Sequence, residues 1–176
     1  MAMRKAFAAP AVLAALAAAS GAQAAPPARA RVAQTPASLR HSPDLWATID
    51  VCNASDQPDT VGVRGSMPGD KVAGDQIYMR FRLQYVAATG TWTNLYSGAS
   101  SFIKVASAKA AHEGGWSFQL RPGPHKRATT WRGVVTFQWR RGAKVLAAIS
   151  RPTTAHHEGL TGADPPNYSA ATCAIG

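Results

Sequence analysis

The feature that most constrains the fold is an alternation of apolar and polar side chains over residues 78–86, in the stretch YMRFRLQYV. Successive side chains of an extended chain point to opposite faces, so a period of two sorts them into two rows. The apolar row is Met79, Phe81, Leu83 and Tyr85, and the polar row is Arg80, Arg82 and Gln84. The pattern predicts a β-strand with one buried face and one arginine-bearing face.

Similar short runs recur, separated by segments rich in Gly, Pro, Asn or Asp that favour tight turns. The clearest is a predicted hairpin of 131–140 and 144–151, whose three-residue connection contains Gly142. Its predicted core rows are Val135, Phe137 and Trp139, then Val145, Ala147 and Ile149. Trp46 and Trp116 are also predicted core residues, and the alanine-rich stretch 105–112 is predicted to be a loop or a short helix.

The first 24 residues have the organisation of a secretory signal peptide. A basic start at Arg4 and Lys5 precedes an apolar run, and small residues surround a cleavage point between Ala24 and Ala25. The apolar run is too short to span a bilayer. Residues 25–43 are predicted to form a disordered basic arm rich in Pro and Ala, and residues 44–176 one domain. We therefore expect a secreted protein, extracellular or periplasmic.

The two cysteines, Cys52 and Cys173, lie near the start and the end of the predicted domain. In an oxidising compartment they would most simply pair with each other, the alternative being two free, buried thiols. Such a disulfide would close a loop of roughly 120 residues and stabilise the fold by up to about 5 kcal/mol in the chain-entropy model.

A domain of short strands, with a long alternating central strand and a late hairpin, resembles the immunoglobulin-like and fibronectin type III-like β-sandwiches. The resemblance covers about residues 44–176 and is architectural. It implies an antiparallel all-β sandwich of about seven to nine strands. The chain departs from antibody-type domains because its cysteines stand near the two ends of the domain. The resemblance implies little about activity.

If the 78–86 strand and the hairpin lie side by side, as in immunoglobulin-like domains, their polar rows combine into one surface, here called the arginine face. The planar guanidinium group can hold a carboxylate or a phosphate with two hydrogen bonds, so this surface is a candidate anion site. The alternative is an ordinary solvated sheet face. Its predicted members are Arg80, Arg82, Gln84, Arg132, Thr136, Gln138 and Arg140, with Arg141 and Lys144 at the turn.

A second basic cluster, which includes Lys126 and Arg127, lies in the loop RPGPHKR. Loops on a rigid scaffold often carry binding residues, although the cluster can equally be a solvated loop. Aromatic side chains that could stack on bases are predicted mainly on the inward rows, so nucleic acid is not an expected partner. Trp92 and Trp131 lie near turns and are interpreted as rim packing, with sugar stacking as the alternative.

The sequence contains no catalytic signature, and we predict no enzyme activity and no cofactor. His156, His157 and Glu158 form its densest group of potential ligands. Adjacent histidines of an extended chain point to opposite sides, and a third ligand would have to come from far away in the sequence, so no metal site is expected.

These observations predict a secreted, non-catalytic binding module at the bacterial cell envelope, whose arginine face or loops bind an anionic polymer or an acidic protein. The alternative is a secreted inhibitor of an extracellular hydrolase, in which the RPGPHKR loop enters the cleft of the enzyme. A small hydrolase is disfavoured because catalytic groups are missing.

Overall fold

The computed structural model describes residues 36–121, 128–157 and 159–176, which contain nine strands and one helical turn. The predicted signal peptide and residues 25–35 of the predicted arm lie outside the described residues, as do Lys126, Arg127 and Glu158. The elements are α1 (Pro36–Leu39), β1 (Trp46–Ala54), β2 (Gln57–Met67), β3 (Gln76–Val86), β4 (Trp92–Ala99), β5 (Ile103–Ser107), β6 (His112–Gln119), β7 (Thr129–Arg141), β8 (Lys144–Pro152) and β9 (Cys173–Ile175).

The strands form two antiparallel sheets, which confirms the predicted all-β sandwich. The three-stranded sheet has the order β1-β2-β6. The six-stranded sheet has the order β4-β3-β7-β8, with β5 also paired to β3 and β9 to β7. In immunoglobulin nomenclature this corresponds to A-B-E and C′-C-F-G, the strand adjacency of such sandwiches. The 78–86 strand and the late hairpin therefore do share one sheet.

The core lies between the two sheets, and the alternating rows of β3 and β7 supply much of it. Met79 pairs with Phe137 and Phe81 with Val135, and all four side chains are buried. Trp139 is buried as well, and its indole Nε1 donates to the Pro68 carbonyl at 2.8 Å. The predicted inward rows of these two strands are thus confirmed except at Tyr85, which is only half-buried. The other large, fully buried side chains are Leu39, Ile49, Val61, Val63, Met67, Ile77 and Leu83.

The two sheets approach each other closely at Gly133 of β7. A Cβ atom at this position would lie 2.6 Å from Cγ1 of Val63 and 2.8 Å from Cγ2 of Thr153. Both distances are shorter than any stable carbon–carbon contact, so an alanine here would push the sheets apart. The glycine is required because the methyl groups of Val63 and Thr153 occupy this space.

The prediction that Val145 is a core residue is wrong, since its side chain is 45 % exposed. The ladder between β7 and β8 contains a register shift: Trp139 pairs with Ala147, but Arg140 pairs with Val145. Leu146 is therefore an extra residue, as in a β-bulge, and it transfers Val145 to the outer side of the sheet. Trp116 was also predicted to be core and is 44 % exposed, because β6 is an edge strand of its sheet.

Half of the stretch 105–112, which was predicted to be a loop or a short helix, lies in strands, and the other half is a turn. It contains the end of β5, a turn and the first residue of β6. Ala106 pairs with Ile77 of β3, and Gly114 of β6 pairs with Gly65 of β2. Sheet pairing therefore overrides the local helical tendency of an alanine-rich segment.

The segment between β8 and β9 runs along the edge of β1 that β2 leaves open. Ile49 and Ala170 exchange two backbone hydrogen bonds of 2.9 and 3.0 Å, and Asp164 N donates to the Asp50 carbonyl at 2.8 Å. The disulfide between Cys52 and Cys173 is present as predicted. Such a bond is compatible with a secreted or periplasmic protein.

Packed chain also occurs before residue 44. Leu39 of α1 is 2 % exposed and belongs to the hydrophobic core, and the Arg40 carbonyl accepts a 2.8 Å hydrogen bond from Nη2 of Arg151. None of the helical structure in the described residues is long and apolar enough to cross a membrane.

Candidate anion-binding face

Charge is distributed unequally between the two sheets. The six strands of the larger sheet contain eight Lys and Arg residues and no Asp or Glu. The three strands of the smaller sheet contain three acidic residues and one arginine. Any electrostatic attraction of anions is therefore centred on the larger sheet. The residues counted are Arg80, Arg82, Lys104, Arg132, Arg140, Arg141, Lys144 and Arg151 in the larger sheet, and Asp50, Asp59, Glu113 and Arg64 in the smaller.

The pairing of β3 with β7 places the predicted members of the arginine face on one surface. Gln84 lies opposite Arg132, and Arg80 lies opposite Thr136. Gln138 and Arg140 follow on the same row of β7, and directly opposite residues of an antiparallel pair point to the same face. Because the intervening residues of both strands are buried in the core, this row faces away from it. The polar side chains of this row lie side by side, and each is half-buried.

One end of the arginine face is built around Arg132. Its Nε donates to the side-chain carbonyl of Gln84 at 2.8 Å, and Gln84 in turn donates to Asn94 Oδ1 at 2.9 Å. The guanidinium carbon lies 4.3 Å from the ring centroid of Trp92, in cation–π geometry. Burial lowers the pKa of Arg132, but an arginine side chain remains protonated in proteins. The cation is therefore held in one orientation.

The other end combines two arginines with two aromatic rings. The guanidinium carbon of Arg140 lies 4.2 Å from the Tyr78 ring centroid and 4.8 Å from that of Phe102. The guanidinium carbon of Arg80 lies 5.9 Å from the same Phe102 ring. Hydrogen bonds hold both guanidinium groups in place. Arg140 Nε donates to Gln138 Oε1 at 2.8 Å, and Arg80 Nε donates to the Ser100 carbonyl at 3.1 Å. Phe102 thus connects two cations from neighbouring strands.

None of the four arginines on this face, Arg80, Arg82, Arg132 and Arg140, forms an ion pair within the described part of the chain. The hydrogen bonds of Arg80 and Arg132 use Nε, so their terminal nitrogens donate to no described protein group. Neighbouring rings and hydrogen-bond acceptors orient the guanidinium groups of Arg80 and Arg132, while their outer edges remain available. A site that is ordered in advance loses less entropy when a ligand binds.

Aromatic residues among the arginines were not predicted from the sequence. Such side chains were expected mainly on inward rows, whereas Tyr78, Trp92 and Phe102 pack against the arginines. Tyr78 could have been found, because it shares its row with Arg80. Phe102 follows β4 in a connection without alternation, so no period indicated its position. That nucleic acid is not a partner stays a prediction.

Arg141 does not join the arginine face. It forms two hydrogen bonds of 2.6 and 2.9 Å with the carboxylate of Asp75, whose side chain is 1 % exposed. These hydrogen bonds lower the pKa of Asp75, whereas burial raises the pKa of the neighbouring Asp70. The pair anchors the β7–β8 turn to the segment that precedes β3. Arg141 therefore has a carboxylate partner, which the four face arginines lack within the described residues.

His156 and His157 stand in the segment that follows β8. The His157 ring stacks on Trp46 at a centroid distance of 4.3 Å, and its Nε2 lies 3.0 Å from Thr154 Oγ1. Burial lowers the pKa of His157, and the charge of His156 lowers it further. Within residues 36–121, 128–157 and 159–176, no three His, Cys, Asp or Glu side chains are grouped so that they could hold a metal ion.

No protein-family model and no curated protein matches this sequence. Among solved structures, the chain is similar to the alkylpurine DNA glycosylase AlkC of Pseudomonas fluorescens, with 13 % identity, a TM-score of 0.33, and coverage of 61 % of this chain and 28 % of that one. It is also similar to the sporulation control protein Spo0M of Bacillus subtilis, with 14 % identity, a TM-score of 0.30, and coverage of 63 % and 49 %.

A third similar structure is a β-glucuronidase of glycoside hydrolase family 2, with 12 % identity, a TM-score of 0.30, and coverage of 62 % of this chain and 11 % of the enzyme. The chain spans less than half the length of each of these three proteins. Likeness at these TM-scores carries no information about ligands or activity.

Proposed function

We propose that this protein is a secreted, non-catalytic binding module of the bacterial cell envelope, and that its arginine face binds an anionic polymer. The observation that carries the proposal is the set of four arginines, of which Arg80, Arg132 and Arg140 are held in place by aromatic rings and hydrogen bonds, and none of which is paired with a carboxylate of the described residues. A guanidinium edge can donate two parallel hydrogen bonds to a carboxylate, phosphate or sulfate group. Four such edges on one surface favour a ligand with several anionic groups.

The extended shape of the site favours a polymer over a single small anion. Arg80 and Arg82 are two residues apart on β3, so their Cα atoms are about 7 Å apart along the strand. Arg132 and Arg140 lie on the neighbouring strand β7, eight residues apart in sequence, which corresponds to about 27 Å of extended chain. A chain of repeated charges can contact several of these positions at once, whereas one anion reaches only one or two.

The signal-peptide pattern of residues 1–24 and the Cys52–Cys173 disulfide support a location outside the cytoplasm. Polymers of the bacterial envelope that carry carboxylate or phosphate groups would be accessible there. The basic balance of the larger sheet would also accelerate the first encounter with such a polymer.

Affinity chromatography and titration with heparin, used as a probe of a flexible polyanion, test the proposal. The test variant carries Arg80→Ser, Arg82→Ser and Arg140→Ser together. The matched control carries Arg40→Ser, Lys109→Ser and Arg121→Ser, which remove the same charge from exposed positions outside the arginine face. Both proteins would then have the same net charge, so any difference reports the face itself.

We expect the test variant to elute from heparin at lower salt than the control. Each lost contact with a polyanion should reduce the slope of log affinity against log salt, so three lost contacts correspond to a reduction of about 2–3. Equal elution and equal slopes for the two triple variants would reject the arginine face as the binding surface. Circular dichroism of both variants checks that the sandwich is intact.

A further inference from the structure

A polar cleft of about 520 Å³ lies against the three-stranded sheet, on the other sheet from the arginine face. Its volume falls within the range of small-molecule sites. Ser117 of β6 alternates with the buried Phe118, and Arg64 of β2 alternates with the buried Val63, so the cleft is on the side of this sheet that faces away from the core. The residues that matter for its chemistry are Asp50, Gln57, Arg64, Gly115, Ser117 and Gly162.

Asp50 is the central group of the cleft. Its side chain is 6 % exposed, and Oδ2 accepts a 2.7 Å hydrogen bond from Arg64 Nε. Oδ1 accepts no hydrogen bond from any described residue. Because Asp50 lines the cleft, a ligand or solvent there can supply the missing donor.

Local backbone structure points this carboxylate into the cleft. The β1–β2 ladder shifts register between Ile49 and Val51, so Asp50 is the extra residue of a bulge, a feature that re-aims side chains. A Cβ atom on Gly62 would lie 2.7 Å from Asp50 Oδ1. Only a glycine at this position leaves room for the carboxylate above β2.

Arg64 is held on three sides. In addition to its bond with Asp50, its Nη2 donates to the Thr161 carbonyl at 2.7 Å, and its Nη1 lies 3.7 Å from Glu113 Oε2. The contact with Glu113 is too long for a good hydrogen bond, so Nη1 can still donate to a ligand. The cleft is thus lined by an acceptor to which no described residue donates, Asp50 Oδ1, and by the guanidinium group of Arg64.

We propose that this cleft binds a neutral, hydroxyl-rich ligand, namely a sugar unit of an oligosaccharide. Arg64 neutralises Asp50, so an uncharged ligand fits better than an ion. Each sugar hydroxyl both donates and accepts, so one hydroxyl can donate to Asp50 Oδ1 while another accepts from the guanidinium group of Arg64. Ser117 provides a hydroxyl, and Gln57 an amide, at the wall of the cleft. The site is independent of the arginine face and uses different chemistry.

Amide chemical-shift mapping by NMR, with the full chain without its predicted signal peptide, tests this assignment. The probes are neutral trisaccharides of several linkages, namely cellotriose, N,N′,N″-triacetylchitotriose, maltotriose and mannotriose, at millimolar concentration. We expect at least one of them to shift the amides of Gly115, Ser117 and Gly162. Uniformly small shifts with all four sugars, or shifts confined to other parts of the sandwich, would overturn the proposal.

Two variants decide whether the cleft itself binds. Ser117→Trp fills it from an exposed position that should not affect folding, and Asp50→Asn removes the charge with little change of shape. The matched control is Asp59→Asn, a change of the same charge on β2 outside the cleft. We expect both cleft variants to weaken sugar binding by about tenfold or more, and the control to bind as the wild type does. Binding unchanged in Ser117→Trp would refute the site, whether or not Asp50→Asn folds.

Discussion

Removal of the Cys52–Cys173 disulfide should destabilise the domain strongly. The two cysteines are separated by 121 residues, so the bond closes almost the whole described chain into a loop. In the chain-entropy model a loop of this size restricts the unfolded chain by about 4.9 kcal/mol at 25 °C. Domains of this size are stable by about 5–15 kcal/mol, so the bond accounts for a large part of the total. We expect the double variant Cys52→Ala and Cys173→Ala to lose about 3–5 kcal/mol.

Urea unfolding followed by tryptophan fluorescence measures this loss. With a slope of about 2 kcal/mol per molar urea, the midpoint should fall by about 2 M. The wild type in the presence of dithiothreitol is the control, because it lacks the bond but keeps both cysteines. It should unfold at the midpoint of the variant, and the reductant should leave the variant unchanged.

A loss of unfolding free energy smaller than about 1 kcal/mol, with an unchanged slope against urea concentration, would refute this prediction. A second result would contradict it in a different way. If hydrogen exchange accelerated only in β9 and in the segment that precedes it, while the other strands kept their protection, the bond would be a local tether of the chain end and not a constraint on the whole unfolded chain.

Two further predictions concern the Arg141–Asp75 pair and the close approach of the two sheets at Gly133. The hydrogen bonds from Arg141 lower the pKa of Asp75 below its ordinary value of 3.8, so their stabilisation is complete above that pH and is lost as the pH falls through the lowered value. Asp75→Asn should therefore melt below the wild type near neutral pH, and the two melting curves should converge in acid; a constant difference would contradict this. Gly133→Ala should lower the free energy of unfolding in urea by about 1–3 kcal/mol, because its Cβ atom would clash with Val63. The control is Gly74→Ala, whose Cβ atom would meet no other atom and which should change this free energy by less than about 0.5 kcal/mol. Equal effects of the two variants would rule out the clash.

The central strands could be predicted from the sequence because their alternation has only one consistent solution. A slip of β3 by one residue would expose Phe81 and Leu83 and bury Arg80 and Arg82, which is energetically prohibitive. The pairing of β3 with β7 could then be predicted from the resemblance to immunoglobulin-like sandwiches. The disulfide was predictable for a similar reason, since two cysteines allow one connectivity.

Features that depend on the contact between two strands could not be predicted in this way. The bulge at Leu146 is a property of the ladder between β7 and β8, and the pattern of β8 alone continues through Val145 without interruption. Phe102 reaches Arg80 and Arg140 because β3 is paired with β4 along one part of its length and with β5 along another. Asp50 gave a signal that was not used, namely a carboxylate inside an otherwise apolar run.

The closure of β1 by residues that follow it by more than a hundred positions has a consequence for how the chain matures. A chain is synthesised from its N-terminus onwards, so the open edge of β1 is exposed long before Ala170 and Cys173 can reach it. During this interval the unpaired edge can join a strand of another molecule. The edge of β1 is therefore closed only after residues 170–173 have been synthesised, and until then it is open to aggregation.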